Sequence, residues 1–132
     1  MPATVLAATV PLGLGIDLVD VDRFASVLLR RPSIAERLFT HGERSYAATL
    51  ANPVPSLAVR FAAKEATMKA LGVGIGAFEF VEVEVQRQPG GQPRLVLIGR
   101  AAELASARSV RAWLVSLTHT SANAAAVVVA LA

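Results

Sequence analysis

The chain has no cysteine among its 132 residues. Disulfides, thiolate nucleophiles and zinc–cysteine sites therefore lie outside its chemistry. Aromatic residues make up only 5%. They do not interleave with cations as a platform for single-stranded nucleic acid requires. Runs of like charge are missing as well. The net charge is +3, but the cations are scattered. Such a surface reads as a solvated face, or as a match for an acidic partner or a phosphate-rich ligand. No nucleic-acid binding is expected from it. Long apolar runs are equally scarce. The first sixteen residues are uncharged but lack a basic leader, and Asp17 ends them too early for a membrane span. The run Ala122–Ala132 is also too short to cross a bilayer and contains Asn123. The expectation is a soluble cytoplasmic protein with no membrane segment.

What is present fits an ordered core, with 54% apolar and 17% charged residues. The length suits one domain spanning 1–132. Alanine and valine dominate the apolar share. Small side chains fill a core with little volume each, which leans toward an oligomer.

Val10–Leu18 reads as a first strand, whose Gly13 and Gly15 allow close backbone approach. Asp20 is an N-cap for a helix with Val21, Phe24, Ala25 and Leu28 on its apolar face. Ser33…Glu36 and Thr40…Glu43 have capping-box form and open two short helices. After the Pro53 and Pro55 loop, Ser56 is expected to cap the strongest helix, about Leu57–Leu71, ended by Gly72. Val81, Val83 and Val85 alternate with polar residues as a half-exposed strand. Pro89-Gly90-Gly91 turns it into a partner strand, Arg94–Ile98. A short helix, Arg100–Ala107, and two strands, Arg111–Thr118 and Ala124–Leu131, complete the chain. This order predicts an α+β fold: a mostly antiparallel sheet packed on a long helix.

Three segments can carry chemistry. All three aspartates lie between residues 17 and 22. Asp17 follows the apolar run Leu12–Ile16 and must be solvated, paired or metal-bound; a carboxylate capping the next helix is the plain alternative. The second segment is Arg60-Phe61-Ala62-Ala63-Lys64-Glu65-Ala66 with Lys69. Glu65 and Lys69 share a helix face and read either as a surface ion pair or as site residues. Arg60, Lys64 and Lys69 give the helix a basic character beside the loop Gly72-Val73-Gly74-Ile75-Gly76. That loop follows a helix, so it is not a dinucleotide-binding fingerprint. Two carboxylates plus phosphate oxygens make an ordinary Mg²⁺ site, although nothing in the spacing brings Asp17 to Glu65. The third segment is Leu114-Val115-Ser116-Leu117-Thr118-His119. Ser116 and His119 raise a serine hydrolase, but no nucleophile elbow surrounds Ser116.

Together these segments resemble the holo-acyl-carrier-protein synthases: Gly15-Ile16-Asp17-Leu18-Val19, then Arg60 to Ala66 with Lys69-Ala70-Leu71-Gly72, then Val115-Ser116-Leu117-Thr118-His119. The resemblance runs from about Leu14 to Val129 and leaves residues 1–10 as an N-terminal extension. It implies an α+β phosphopantetheinyl transferase fold and a homotrimer with active sites at subunit interfaces. It implies transfer of 4′-phosphopantetheine from coenzyme A to a serine of an apo acyl carrier protein, releasing adenosine 3′,5′-bisphosphate. Asp17 and Glu65 match the family's Mg²⁺ ligands. Lys69 matches the lysine facing the coenzyme A phosphates. Arg60 and His119 match positions near the nucleotide phosphates, supplied across an interface. Gly72 and Gly74 would lie along the coenzyme, and Arg23 matches a basic position that grips the carrier. Glu65 is the candidate base for the serine, with Lys69 and His119 completing the catalytic set. One departure is Leu114, where many members carry histidine. A catalytically silent module that binds carrier protein or coenzyme A is the alternative reading.

Overall fold

The computed structural model describes residues 10–132. The expected N-terminal extension lies outside the described residues, except for its last residue, Val10. Strand β1 (Pro11–Asp20) leads into helices α1 (Val21–Arg30), α2 (Ile34–Leu38), α3 (His41–Ala48) and the long α4 (Val54–Ala70). A 3₁₀ turn, Phe80–Glu82, precedes strands β2 (Val83–Arg87) and β3 (Pro93–Leu97). Helix α5 (Gly99–Ala107) and strands β4 (Ala112–His119) and β5 (Asn123–Leu131) close the chain. β1, β5 and β4 form an antiparallel sheet in that order, and β2–β3 form a separate antiparallel ribbon. The fold is thus the expected α+β arrangement, with the antiparallel strands divided between two sheets.

Local chemistry explains most boundaries. Asp20 accepts a hydrogen bond from the Arg23 N–H and caps α1. Thr40 and Glu43 form a complete capping box at α3. Two expected caps are corrected. Ser33 sits in helical backbone and makes no capping bond at α2. Ser56 lies inside α4, which begins at Val54 with a proline in its first turn, where a missing N–H costs nothing. Its hydroxyl instead accepts from Arg60 Nη1 at 2.6 Å. Val81 and Glu82, expected in a strand, lie instead in the 3₁₀ turn. Gly72 closes α4 with φ of 71°, a conformation that glycine adopts without strain.

The period of β1 turns its large apolar side chains away from the helix. Gly13, Gly15, Asp17 and Val19 face α4, whereas Leu12, Leu14, Ile16 and Leu18 face outward. The reason is the helix's closeness. A Cβ on Gly13 would stand 1.9 Å from the Ala70 carbonyl oxygen, and one on Gly15 would stand 1.8 Å from that of Ala66. Only glycine fits between strand and helix backbones there. Buried Ala62, Ala63 and Ala66 of α4 meet Ala124, Ala126 and Val128 of β5 under the same constraint.

A buried ion pair ties the other side of α4. Lys64 Nζ lies 2.8 Å from Glu43 Oε1, both side chains fully buried. It also donates to the carbonyls of Phe80 and Val83. Glu43 Oε2 accepts from the Val85 N–H at 2.9 Å. Burial lowers the Lys64 pKa and Glu43 opposes that shift. Lys64 is thus a structural cation rather than part of the helix's basic surface.

Gly15→Ala is expected to cost about 3 kcal/mol, at the upper end of overpacking, because the obstructing atom is backbone. Urea denaturation measures it. A cost below about 0.5 kcal/mol would mean that α4 can retreat from β1 without penalty.

Candidate active site

The close packing of α4 on β1 decides which side chains meet. Asp17 sits in the middle of β1, two residues past Gly15, and pairs with Ala126 of β5. Lys69 Nζ donates to Asp17 Oδ1 at 3.1 Å and to the Ile16 carbonyl at 3.0 Å. Lys69 is therefore paired with Asp17 and not with Glu65, the i, i+4 partner that spacing offered. Glu65 lies one turn before Lys69, and its carboxyl lies against that of Asp17, close enough to share a proton. Burial, the Asp17 charge and that hydrogen bond raise the Glu65 pKa from 4.5 to about 6, while Lys69 pulls it down.

Beside Glu65 opens a cleft of about 570 Å³, lined mainly by apolar residues. Phe24, Phe61 and Phe80 form its aromatic wall, with ring centroids 5.3 and 5.4 Å apart. Arg23 and Ile75 line the same cleft. Arg23 therefore stands near the carboxylates, as does the loop that contains Gly72 and Gly74. A Cβ at either glycine would meet nothing within 4 Å, so these positions border open space.

Arg60 and His119 are elsewhere. They line a second cleft of about 540 Å³ with Tyr46 and Arg87. Arg60 and Glu65 are five residues apart on α4, about 140° around the helix. One chain thus brings Asp17, Glu65, Lys69 and Arg23 together, and separately Arg60 and His119. Ser116 and His119 do not form a hydrolase pair. Ser116 is on the exposed outer face of β4, next to Val127, while His119 lines the cleft on the other side.

The donor chemistry of the carboxylate pair suits a hard divalent cation. Two carboxylates, one above its ordinary pKa, hold charge that a cation would neutralise in place of a proton. Among the described residues no group of three or more His, Cys, Asp or Glu side chains gathers. Mg²⁺ commonly takes one or two carboxylates and completes its shell with water and phosphate oxygens. The residues present fit that mode. No helix among the described residues is long and apolar enough to cross a membrane.

A sequence model of the 4′-phosphopantetheinyl transferase superfamily matches residues 13–129. The chain is 44% identical over 113 residues to a holo-[acyl-carrier-protein] synthase of Moorella thermoacetica, covering 86% of this chain and 88% of that one. It is 49% identical over 118 residues to the synthase of Frankia casuarinae, covering 89% and 95%. The holo-[acyl-carrier-protein] synthase of Neisseria meningitidis superposes with a TM-score of 0.84 at 28% identity, over 92% of this chain and 98% of that one. The Bacillus anthracis synthase, solved in complex with coenzyme A (3′,5′-ADP), gives 0.78 at 31% identity over 92% and 97%. The chain belongs to the 4′-phosphopantetheinyl transferase superfamily, among its holo-acyl-carrier-protein synthases.

In metal-free protein Glu65 is expected to titrate near pH 6, and Asp17→Asn to move it back toward 4.5. Carboxyl-carbon NMR reads both values. Between those two pH values the folded chain binds more protons at Glu65 than the unfolded chain does. Stability therefore falls as pH rises through that window. An unshifted Glu65 in the parent protein would separate the two carboxylates.

Proposed function

We propose that this protein transfers the 4′-phosphopantetheine group of coenzyme A to a serine of an apo acyl carrier protein, with adenosine 3′,5′-bisphosphate as the second product. The Asp17–Glu65–Lys69 constellation carries this reading. It stands beside an apolar cleft, in a fold shared with synthases solved with coenzyme A.

Asp17 and Glu65 would hold Mg²⁺, which when bound neutralises the diphosphate charge and polarises the reacting phosphorus. Lys69, half-exposed and tethered to Asp17 and the Ile16 carbonyl, is placed to meet the leaving phosphate's charge. Glu65 is the candidate base that accepts the serine proton as oxygen attacks phosphorus. Catalysis of phosphoryl-type transfer rests mainly on such positioning and charge balance. Arg23, at the rim of the same cleft, is the docking cation for an acidic carrier. Gly72 and Gly74 leave room for the coenzyme's extended arm. We place the reaction in the cytoplasm and read 1–132 as one catalytic domain.

The protein is read as a homotrimer. The number three follows the family resemblance, and two observations support contact between copies. Arg60 and His119 face away from the carboxylates of their own chain, so a complete constellation needs a neighbour's half. The outer face of the main sheet is also apolar and open. Leu14, Ile16, Leu18 and Leu114 are each more than half exposed on it. Leu14, Val129 and Leu114 form one continuous row across the three strands. Leu114 thus belongs to this face, away from both clefts, and its departure from histidine leaves the catalytic groups untouched. A face of this extent on a small protein calls for a partner.

Incubating apo acyl carrier protein with this protein, coenzyme A and Mg²⁺ is expected to add one phosphopantetheine by intact mass, and EDTA to abolish the gain. Glu65→Gln should lower kcat at least about a hundredfold, the usual scale for a lost general base. Coenzyme A binding without any transfer would establish the silent-module alternative. Separately, Leu14→Lys with Ile16→Lys is expected to convert a three-chain species into monomer in sedimentation and to abolish transfer. A monomeric parent protein with full activity would refute the shared-site reading.

A further inference from the structure

No motif of the sequence singles out Arg87, yet the fold gives it a defined place. It ends β2, and its guanidinium carbon lies 5.0 Å from the centre of the Tyr46 ring. Arg60 lies 4.9 Å from the same ring centre. Both arginines line the cleft that His119 reaches, and no carboxylate lines that cleft. Neither arginine has an acid at ion-pair distance. The two ion pairs among the described residues are Lys64–Glu43 and Lys69–Asp17. Glu43 is electrostatically close to Arg60 but is spent on Lys64, the Thr40 N–H and the Val85 N–H. Arg60 Nε is buried without a hydrogen-bond partner. Burial lowers the Arg60 pKa; Glu43 and Tyr46 oppose this, and the like charge of Arg87 adds to it. Two guanidiniums held on one ring, beside a cleft free of anions, repel each other until an anion enters.

We propose that Arg87, set on Tyr46 beside the family's phosphate-side Arg60, completes a clamp on a phosphate monoester and sets the preference for coenzyme A over its form lacking the 3′-phosphate. This rests on the transferase reading and adds a specificity residue to it. The monoester is the matching part of the substrate. It carries nearly two negative charges at neutral pH. The cleft has no carboxylate to share a metal with it, so fork-shaped cations must meet that charge. The diphosphate would have its own partners in Lys69 and in a cation held by Asp17 and Glu65. Gly91, at the β2–β3 turn with φ of 89°, keeps the space beside the clamp open. A Cβ there would stand 3.3 Å from Arg87 Nη2.

The buried Glu43–Lys64 pair holds all three members. Tyr46 is one turn after Glu43 on α3. Arg60 is one turn before Lys64 on α4. Arg87 is two residues past Val85, whose N–H Glu43 accepts.

The test measures transfer from coenzyme A and from dephospho-coenzyme A to apo acyl carrier protein, for the parent and for Arg87→Ala. The expected result is a loss in kcat/KM about tenfold larger with coenzyme A than with dephospho-coenzyme A. Arg87→Lys should recover part of that difference, since the charge remains without the fork. Calorimetric binding of adenosine 3′,5′-bisphosphate should weaken selectively in Arg87→Ala, relative to adenosine 5′-monophosphate. Equal losses on both substrates would make Arg87 a mere support for Tyr46, and no loss would make it a surface residue; either overturns the proposal. A parent protein that transfers from neither coenzyme refutes the transferase reading instead, and the calorimetry still judges the clamp.

Discussion

The contact on which the structure depends is the approach of α4 to β1. Two glycines of the strand lie against two carbonyls of the helix, at a separation that leaves no room for any Cβ. Dispersion between such closely packed backbones holds the layers together with little side-chain volume. This explains how a chain so poor in aromatics and so rich in alanine builds a core. The same contact forces Asp17, in step with Gly13 and Gly15, onto the helix side. It meets Glu65 and Lys69 there because they lie on the helix turns that touch the strand. The elevated Glu65 pKa follows from the same packing: burial is its largest cause, and the neighbouring Asp17 carboxylate adds to it.

The opposite side of α4 is organised by a different kind of interaction. Lys64 and Glu43 are both fully buried; all three Lys64 donors and both Glu43 oxygens are engaged by a backbone group or by each other. Removing one partner would strand a charge, so the pair specifies a unique arrangement of α3, α4 and β2 even if its net stabilisation is small. Helix α4 thus has one face positioned by van der Waals contact and another positioned by charge. Each face carries its own cluster of polar groups.

How much of this was legible in the sequence depended on the range of the interaction. The capping of α1 by Asp20, the Thr40–Glu43 box and the end of α4 at Gly72 are local, and the residue types announced them. The closeness allowed by Gly13 and Gly15 was also legible. The direction of the strand's faces was not, because the leucines of β1 alternate with glycines that look dispensable and are the buried set. Ser56 misled because its hydroxyl was claimed by Arg60, a tertiary choice that no capping rule contains. Lys64 read as a surface cation because its partner, Glu43, lies on another helix. The motif residues, and the supply of Arg60 and His119 across an interface, were readable only as a resemblance; the physical cause of their division between two clefts was not. That division follows from the helical angle between Arg60 and Glu65 together with the packing on each side. Arg87 carried no signal, since its place depends on the register of β2 against α3.

The two-faced helix has a consequence for how activity and assembly are linked. If Arg60 and Glu65 serve one substrate, as proposed, no single chain can present both to it, because about 140° of helix separates them. A symmetric ring resolves this without new residues: each chain offers its carboxylate face to one neighbour and its arginine face to the other. The apolar outer face of the sheet would then supply the association energy, and the polar clefts would contribute little to it. In such a design a substitution on the sheet face abolishes transfer without touching a catalytic group. The aliphatic Leu114 in the row with Leu14 and Val129 fits that division of labour, since it adds apolar surface where association needs it and lies away from the chemistry.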